Sequence, residues 1–226
     1  MHHNKITLDN VSYGGGGVFG GYNQSLTGDA SNNEVVLQNN ALVSPNHVYG
    51  GYTTGSGKAI NNTVTLNGNS PSQWSGGNIY GGISVGGGDS VTGNTLHIAG
   101  KNSYGNRLYN FEKIKFDLSS NVNHGDRMFA GYIYGTFDWN NITVTGAADW
   151  KTGVDGSHRV TLAEDAHGLS ISNYTLTGGT VVGDFEYGLR TDVQGTATPS
   201  TITVGHIYFD HNKISHVDVP PKIGPA

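Results

Sequence analysis

Apolar and polar residues alternate in short bursts along this chain, and the bursts recur. The segments NKITL (4–8), NEVVL (33–37), NTVTL (62–66) and NTLHI (94–98) each open on asparagine and place apolar residues at alternate positions. The apolar pairs are Ile6/Leu8, Val35/Leu37, Val64/Leu66 and Leu96/Ile98, at steps of 29, 29 and 32 residues. A period of two is that of a strand with one face buried and the other wet. Thr7, Val36, Thr65 and His97, which sit between the apolar residues, are therefore expected to face outward. A second element alternates with the first. VFGGY (18–22), VYGGY (48–52) and IYGGI (79–83) each run apolar, aromatic, then two glycines, at steps of 30 and 31 residues. Each unit reads as a strand, a polar turn, a second strand carrying the glycine pair, and a polar loop.

A repeat of about 30 residues made of strands and turns, without runs of helix formers, points to stacked coils. The expected fold is all-β: a right-handed parallel β-helix, or β-solenoid. Its coils stack at the strand spacing of about 4.8 Å, so equivalent apolar residues form internal columns. A propeller blade needs four strands in about 40–50 residues and fits less well. The glycine pair reads as a tight bend or a close approach of backbones, since glycine tolerates positive φ.

Residues 4–100 read as regular coils. Over 101–216 the pattern loosens. IKFDL (114–118) still alternates, with Ile114, Phe116 and Leu118 inward and Lys115 and Asp117 outward, and NNITVTG (140–146) keeps the asparagine-led strand. The stretches 158–178, 183–193 and 200–210 also read as strands, but the steps between them vary. This half is expected to continue or cap the solenoid, with a separate β-sandwich as the alternative. Residues 217–226 read as a Pro-rich tail or linker.

Composition narrows the function classes. The 226 residues include 36 Gly and 23 Asn, about a quarter of the chain, while charged residues supply only 13%. Plentiful Val, Ile, Thr and Tyr separate this composition from a disordered one. A net charge of −5 with no basic stripe argues against nucleic acid as a partner. No apolar run approaches the ~20 residues of a membrane helix. The absence of cysteine excludes disulfides and thiolate zinc sites.

Several segments invite a chemical reading. TTGSGKA (53–59) resembles a phosphate-binding loop, but Gly51 is one residue too far from Gly57–Lys58 and Ala59 replaces the magnesium-binding hydroxyl. VGGGDSV (85–91) carries one aspartate, Asp89, where a calcium-binding β-roll needs tandem repeats. Asp155, Glu164, Asp165, Asp184, Glu186 and Asp192, with His158, Arg159 and Arg190, are the acids and bases that a polysaccharide-cleaving enzyme would have to gather in one cleft. His206, His211 and His216 recur every five residues with Asp210 nearby, yet a five-residue step along a strand flips faces. None of these patterns assigns a catalytic residue, a metal site or a cofactor. The aromatics are the stronger signal. Phe19, Tyr49 and Tyr80 share one repeat phase and Tyr22 and Tyr52 another. Stacked coil on coil, they form ladders that fill space or, joined by Trp74, contact a carbohydrate or another partner. Strict alternation puts Phe19 and Tyr22 on opposite faces, so at most one ladder is expected outside.

The asparagine-led strands and VYGGYTTGSGKAINNTVTL (48–66), together with NFEKIKFDLSSNVNHGDRMF (110–129) and HRVTLAEDAHGLSISNYT (158–175), resemble passenger domains of bacterial autotransporters (type V secretion). The resemblance implies secretion and display on the surface of a Gram-negative-type bacterium. It implies membrane attachment only through a C-terminal barrel that is not among these residues. The implied role is a non-enzymatic adhesin or stalk whose partner is a host or bacterial surface glycan or protein. The alternatives are a polysaccharide-active β-helix enzyme and a phage tail-fibre-like module. An open coil also exposes unpaired strand backbone, so end-to-end self-association is expected at the N-terminal face.

Overall fold

The computed structural model describes residues 2–43, 46–68, 77–118, 122–146, 157–174, 180–182, 185–192 and 201–213. It shows parallel coils stacked into a β-solenoid of about four turns. The first coil holds β1 (Lys5–Asp9), β2 (Ser12–Tyr13) and β3 (Val18–Asn23), and the second holds β4 (Glu34–Gln38), β5 (Leu42–Val43) and β6 (Val48–Thr53). The third holds β7 (Thr63–Asn67) and β8 (Asn78–Ser84), and the fourth β9 (Thr95–Ala99) and β10 (Ser103–Tyr109). Then come β11 (Lys113–Asp117), β12 (Arg127–Ile133), β13 (Thr136–Asp138) and β14 (Ile142–Thr145). The asparagine-led strands make one parallel six-stranded sheet, β1-β4-β7-β9-β11-β14, in which Ile6, Val35, Val64, Leu96, Ile114 and Ile142 pair in register. From Val35 to Ile142 this column is 0–5% exposed. Val18, Val48, Ile79, Leu108 and Ile133 form a facing column from the second sheet. Burying one such side chain contributes about 1.5–3 kcal/mol, so these columns supply most of the drive to coil.

Two polar devices shape each coil. The first is an internal asparagine ladder. Asn4 Nδ2 donates to Asn33 Oδ1 at 2.9 Å, Asn33 Nδ2 to Asn62 Oδ1 at 3.1 Å, and Asn62 Nδ2 to Asn94 Oδ1 at 3.2 Å. Each rung's oxygen also accepts the backbone N–H of the previous rung, at 2.8–3.2 Å. Asn94 ends the ladder by donating to the carbonyls of Ala59, Ser90 and Asn110. The second device is a pair of left-handed corners. Just before each rung, His3, Asn32, Asn61 and Gly93 have φ of 56–70°; after β1, β4, β7 and β9, Asn10, Asn39, Gly68 and Gly100 have φ of 48–87°. Asparagine and glycine are the residues that enter this region most readily, which accounts for part of the unusual composition.

The glycine pairs do a different job from the positive-φ turn expected of them. None of Gly20, Gly21, Gly50, Gly51, Gly81 and Gly82 has positive φ. They are short because the ladder lies against them. A Cβ on Gly50 would meet Asn62 Cβ at 2.8 Å, and one on Gly81 would meet Asn94 Cβ at 2.8 Å. A Cβ on Gly51 or Gly82 would run into the carbonyl of Ala30 or Ala59. The close-approach half of the expectation holds and the positive-φ half does not.

The outward side of the first sheet also differs in part from its reading. Thr7 is exposed and His97 half-buried, but Val36 and Thr65 are each only 7% exposed. Both lie mid-sheet, flanked by a strand on either side.

Among the described residues the second half continues both sheets of the coils: β11 and β14 lengthen the first, and the other strands lengthen the second. β15 (Ser157–Ser172) pairs in parallel with β12 and β13, then antiparallel with β18 (Thr201–Lys213). β17 (Phe185–Thr191) pairs antiparallel with β18, and β16 (Thr180–Val182) antiparallel with β17. The ten-stranded sheet therefore changes from parallel coils to antiparallel hairpins along its length. Residues 217–226 lie outside the described residues.

Candidate functional site

The second sheet carries an aromatic column on its outer side. Phe19 and Tyr49 stack at 4.9 Å with planes 7° apart, and Tyr49 and Tyr80 at 5.2 Å and 9°. The column then continues beyond the three expected rings. Tyr80 stacks on Tyr109 at 5.2 Å and 18°, and Tyr109 on Tyr134 at 4.7 Å and 16°. Strand pairing places each ring: Phe19 opposite Tyr49, Tyr49 opposite Tyr80, and Tyr80 opposite Tyr109. The first four rings are half-buried, and Tyr134 is 38% exposed. Tyr109 and Tyr134 were legible as Leu108-Tyr109 and Ile133-Tyr134, apolar then aromatic, but they lack the double glycine that marked the other three. The reason is the ladder. Gly20/Gly21, Gly50/Gly51 and Gly81/Gly82 face Asn33, Asn62 and Asn94. Beyond Asn94 the described residues hold no further rung to make room for.

The second ladder, Tyr22 on Tyr52 at 5.5 Å, lies beside the first rather than behind it. Phe19 and Tyr22 are 5.0 Å apart, and Tyr52 meets Phe19 and Tyr49 edge-on at 5.5 and 5.1 Å. The expectation of opposite faces is therefore overturned. Gly20 and Gly21 are both buried in succession, so the strand bends at the pair and alternation breaks there. Phe19 and Tyr22 emerge on the same side. Trp74 lies outside the described residues.

Polar side chains border the rings. His47 stands perpendicular to Tyr49 and Tyr80, at 6.0 and 5.8 Å, and its Nδ1 accepts the Asn78 N–H at 2.9 Å. Asn78 Nδ2 donates to the Tyr80 hydroxyl at 3.0 Å. Arg107 is paired in register with Asn78 and with Tyr132, and its side chain is exposed. Burial, followed by the neighbouring phenols of Tyr80 and Tyr52, holds the Tyr49 hydroxyl above its ordinary pKa.

The other candidates are placed as follows. In TTGSGKA, Gly55 and Gly57 lie against the backbone of Leu26 and Gly28, and the Lys58 N–H donates to Asp29 Oδ1 at 2.7 Å. A carboxylate already holds an amide that a phosphate would need. Asp89 Oδ1 accepts the Val91 and Thr92 N–H groups at 2.9 and 3.1 Å, which folds its own loop; the Thr92 side chain first, and then these two N–H groups, hold its carboxyl below the ordinary range. Glu164 pairs with Arg127 at 2.7 Å beside a cavity of about 130 Å³ lined by Tyr104, Ala130, Gly131 and Tyr132. Asp165 is buried and accepts the Ile133 and His167 N–H groups at 2.8 and 2.9 Å. Arg159 grips Asp210 through two hydrogen bonds of 2.6 and 2.8 Å and lies 4.1 Å over the Tyr208 ring. His206 stacks on Tyr208 and approaches Asp192 at 3.4 Å. Arg190 donates to the Leu189 carbonyl. Each of these acids thus has a structural partner of its own, while Glu164, Asp192 and Asp210 with Arg159 lie near enough to act together on the Tyr208 hydroxyl. Asp155, Asp184 and His216 lie outside the described residues, as do the side chains of His158, Glu186 and His211.

No family model, no curated protein and no solved structure matches this chain. The aromatic column is therefore judged on its geometry alone. It is a continuous row of five rings, four coil spacings long, along the parallel part of the second sheet. Near-parallel rings about 5 Å apart cannot admit a third ring between them, which needs two contact distances of about 3.5 Å each. A ligand meets the outer edges and hydroxyls of several rings at once.

Proposed function

We propose that this chain is a non-enzymatic contact module of the autotransporter-passenger type, displayed outside a Gram-negative-type cell and binding a surface partner along its aromatic flank. The observation that carries the reading is the five-ring column on a wall of parallel strands. Such a flank spreads binding over many coils instead of concentrating it in a pocket. Glu164, Asp165, Asp192 and Asp210 have distinct structural partners, which favours binding over acid–base chemistry. In this reading membrane attachment belongs to a C-terminal barrel of the full protein. The test has two arms. Antibody raised to the purified chain should label intact producing cells, and mild surface proteolysis should remove the label. The same chain, incubated with polysaccharides, should release no new reducing or unsaturated ends. Turnover that disappears in a single acid variant, or label found only after cell lysis, refutes the proposal.

A further inference from the structure

The repeat distance, chemistry and borders of the aromatic column narrow the class of partner. We infer that the Phe19–Tyr49–Tyr80–Tyr109–Tyr134 column is a binding track for a linear polysaccharide in extended conformation, lying parallel to the solenoid axis. This inference rests on the contact-module reading above and specifies its ligand.

Three observations carry it. The first is periodicity. Successive rings are 4.7–5.2 Å apart, close to the rise of one sugar in an extended β-linked chain, so each added sugar meets the next ring in an equivalent way. An extended peptide advances only about 3.3 Å per residue and falls out of step. The second is surface chemistry. Four of the five rings are tyrosines, each presenting an apolar edge and a hydroxyl. A pyranose likewise has apolar C–H faces and a polar hydroxyl rim, and tyrosine suits surfaces that are half wet. The rings half-bury one another, so they are rigid before any ligand arrives and little is lost in ordering them. The third is the polar border. His47 and Asn78 hold each other and the Tyr80 hydroxyl in place. Arg107 comes next along the same border, exposed and with no ion-pair partner among the described residues. A planar guanidinium is suited to a carboxylate, so the track favours chains that carry uronic acids over neutral ones.

The test is a titration of the full chain with purified oligosaccharides of increasing length, in a neutral β-linked glucose series and a uronate series, read by calorimetry. Affinity should rise with each added sugar until the ligand spans the five rings, then level off. Tyr134→Ala removes the most exposed ring and should weaken binding of the longest oligomers about fivefold to tenfold, leaving the shortest unaffected. Tyr109→Phe keeps the stack, so the fold is preserved, and should weaken binding a few-fold through the lost hydroxyl. Arg107→Ala should abolish the preference for uronates and the salt dependence that accompanies it. Length-independent affinity, or binding unchanged in both tyrosine variants, overturns the inference. If no oligosaccharide binds but cells or proteins still adhere and Tyr134→Ala weakens that adhesion, the glycan falls while the contact module stands. If Tyr134→Ala instead breaks up a self-associated form of the chain, the track is a zipper between copies and the inference is overturned. Cleavage of the oligosaccharides removes the contact-module reading itself.

Discussion

Asn62→Ala is the most direct test of the ladder. Asn62 is fully buried, and three hydrogen bonds pass through its carboxamide. Its oxygen accepts the Asn33 N–H at 3.0 Å and Asn33 Nδ2 at 3.1 Å, and its own Nδ2 donates to Asn94 at 3.2 Å. Each such bond contributes about 1 kcal/mol net, and a buried donor or acceptor deprived of its partner costs a further ~1–3 kcal/mol. The expected loss is about 3–5 kcal/mol, a large part of the ~5–15 kcal/mol that holds a domain together. The Cβ remains, so the contact with Gly50 is unchanged and the effect belongs to the amide. Asn4→Ala is the internal comparison. It deletes the 2.9 Å side-chain bond to Asn33 at an exposed rung, where water replaces a lost partner, and should cost less than Asn62→Ala, about 1 kcal/mol. Urea unfolding followed by far-UV circular dichroism and by tyrosine fluorescence reads both variants. Coincident curves license a two-state free energy, and an unchanged slope shows that the native state, not the denatured ensemble, was altered. Equal small losses for Asn62→Ala and Asn4→Ala would refute the ladder as a source of stability.

Gly51→Ala drives a Cβ into the Ala30 carbonyl and should destabilise by about 1–3 kcal/mol, whereas Gly16→Ala has nothing within 4 Å and should be neutral or slightly stabilising by thermal melting. His97 is held below its ordinary pKa of 6.5, first by burial and then by Lys115, against the weaker pull of Asp117 and Glu34. Its Nε2 is buried without an acceptor, so the unfolded chain takes the proton more readily than the folded one. Stability should therefore fall as pH drops through 6.5 toward the folded value, and His97→Gln should flatten that part of the pH profile; an unchanged profile counts against the assignment. Asp210→Ala releases the Arg159 grip and should cost about 1–2 kcal/mol, a figure kept low because Arg159 is half exposed. A double-mutant cycle with Arg159→Ala that returns no coupling energy removes the pair from the account.

Alternation and spacing in the sequence were enough to set the strands, the coil length and the buried columns. Ile6, Val35, Val64 and Leu96 pair as their positions require, because a period of two leaves one choice of buried face and a fixed repeat leaves one register. Asparagine and glycine content agrees with the left-handed corners. What the sequence could not decide was which glycines turn the chain and which make room. That depends on what lies across the interior, and the ladder of Asn33, Asn62 and Asn94 is assembled only when coils 29–32 residues apart are stacked. The bend at Gly20–Gly21 follows from the same packing, and it brings Tyr22 beside Phe19 where alternation alone separates them. Tyr109 and Tyr134 join the column because backbone pairing carries the register past the last glycine pair. The switch to antiparallel strands at β15 and β18 has no periodic signature, since it is set by long-range pairing between segments whose spacing does not repeat. Local pattern sets the inward face where alternation is unbroken; only the stacked coils decide where alternation breaks and what each inward residue meets.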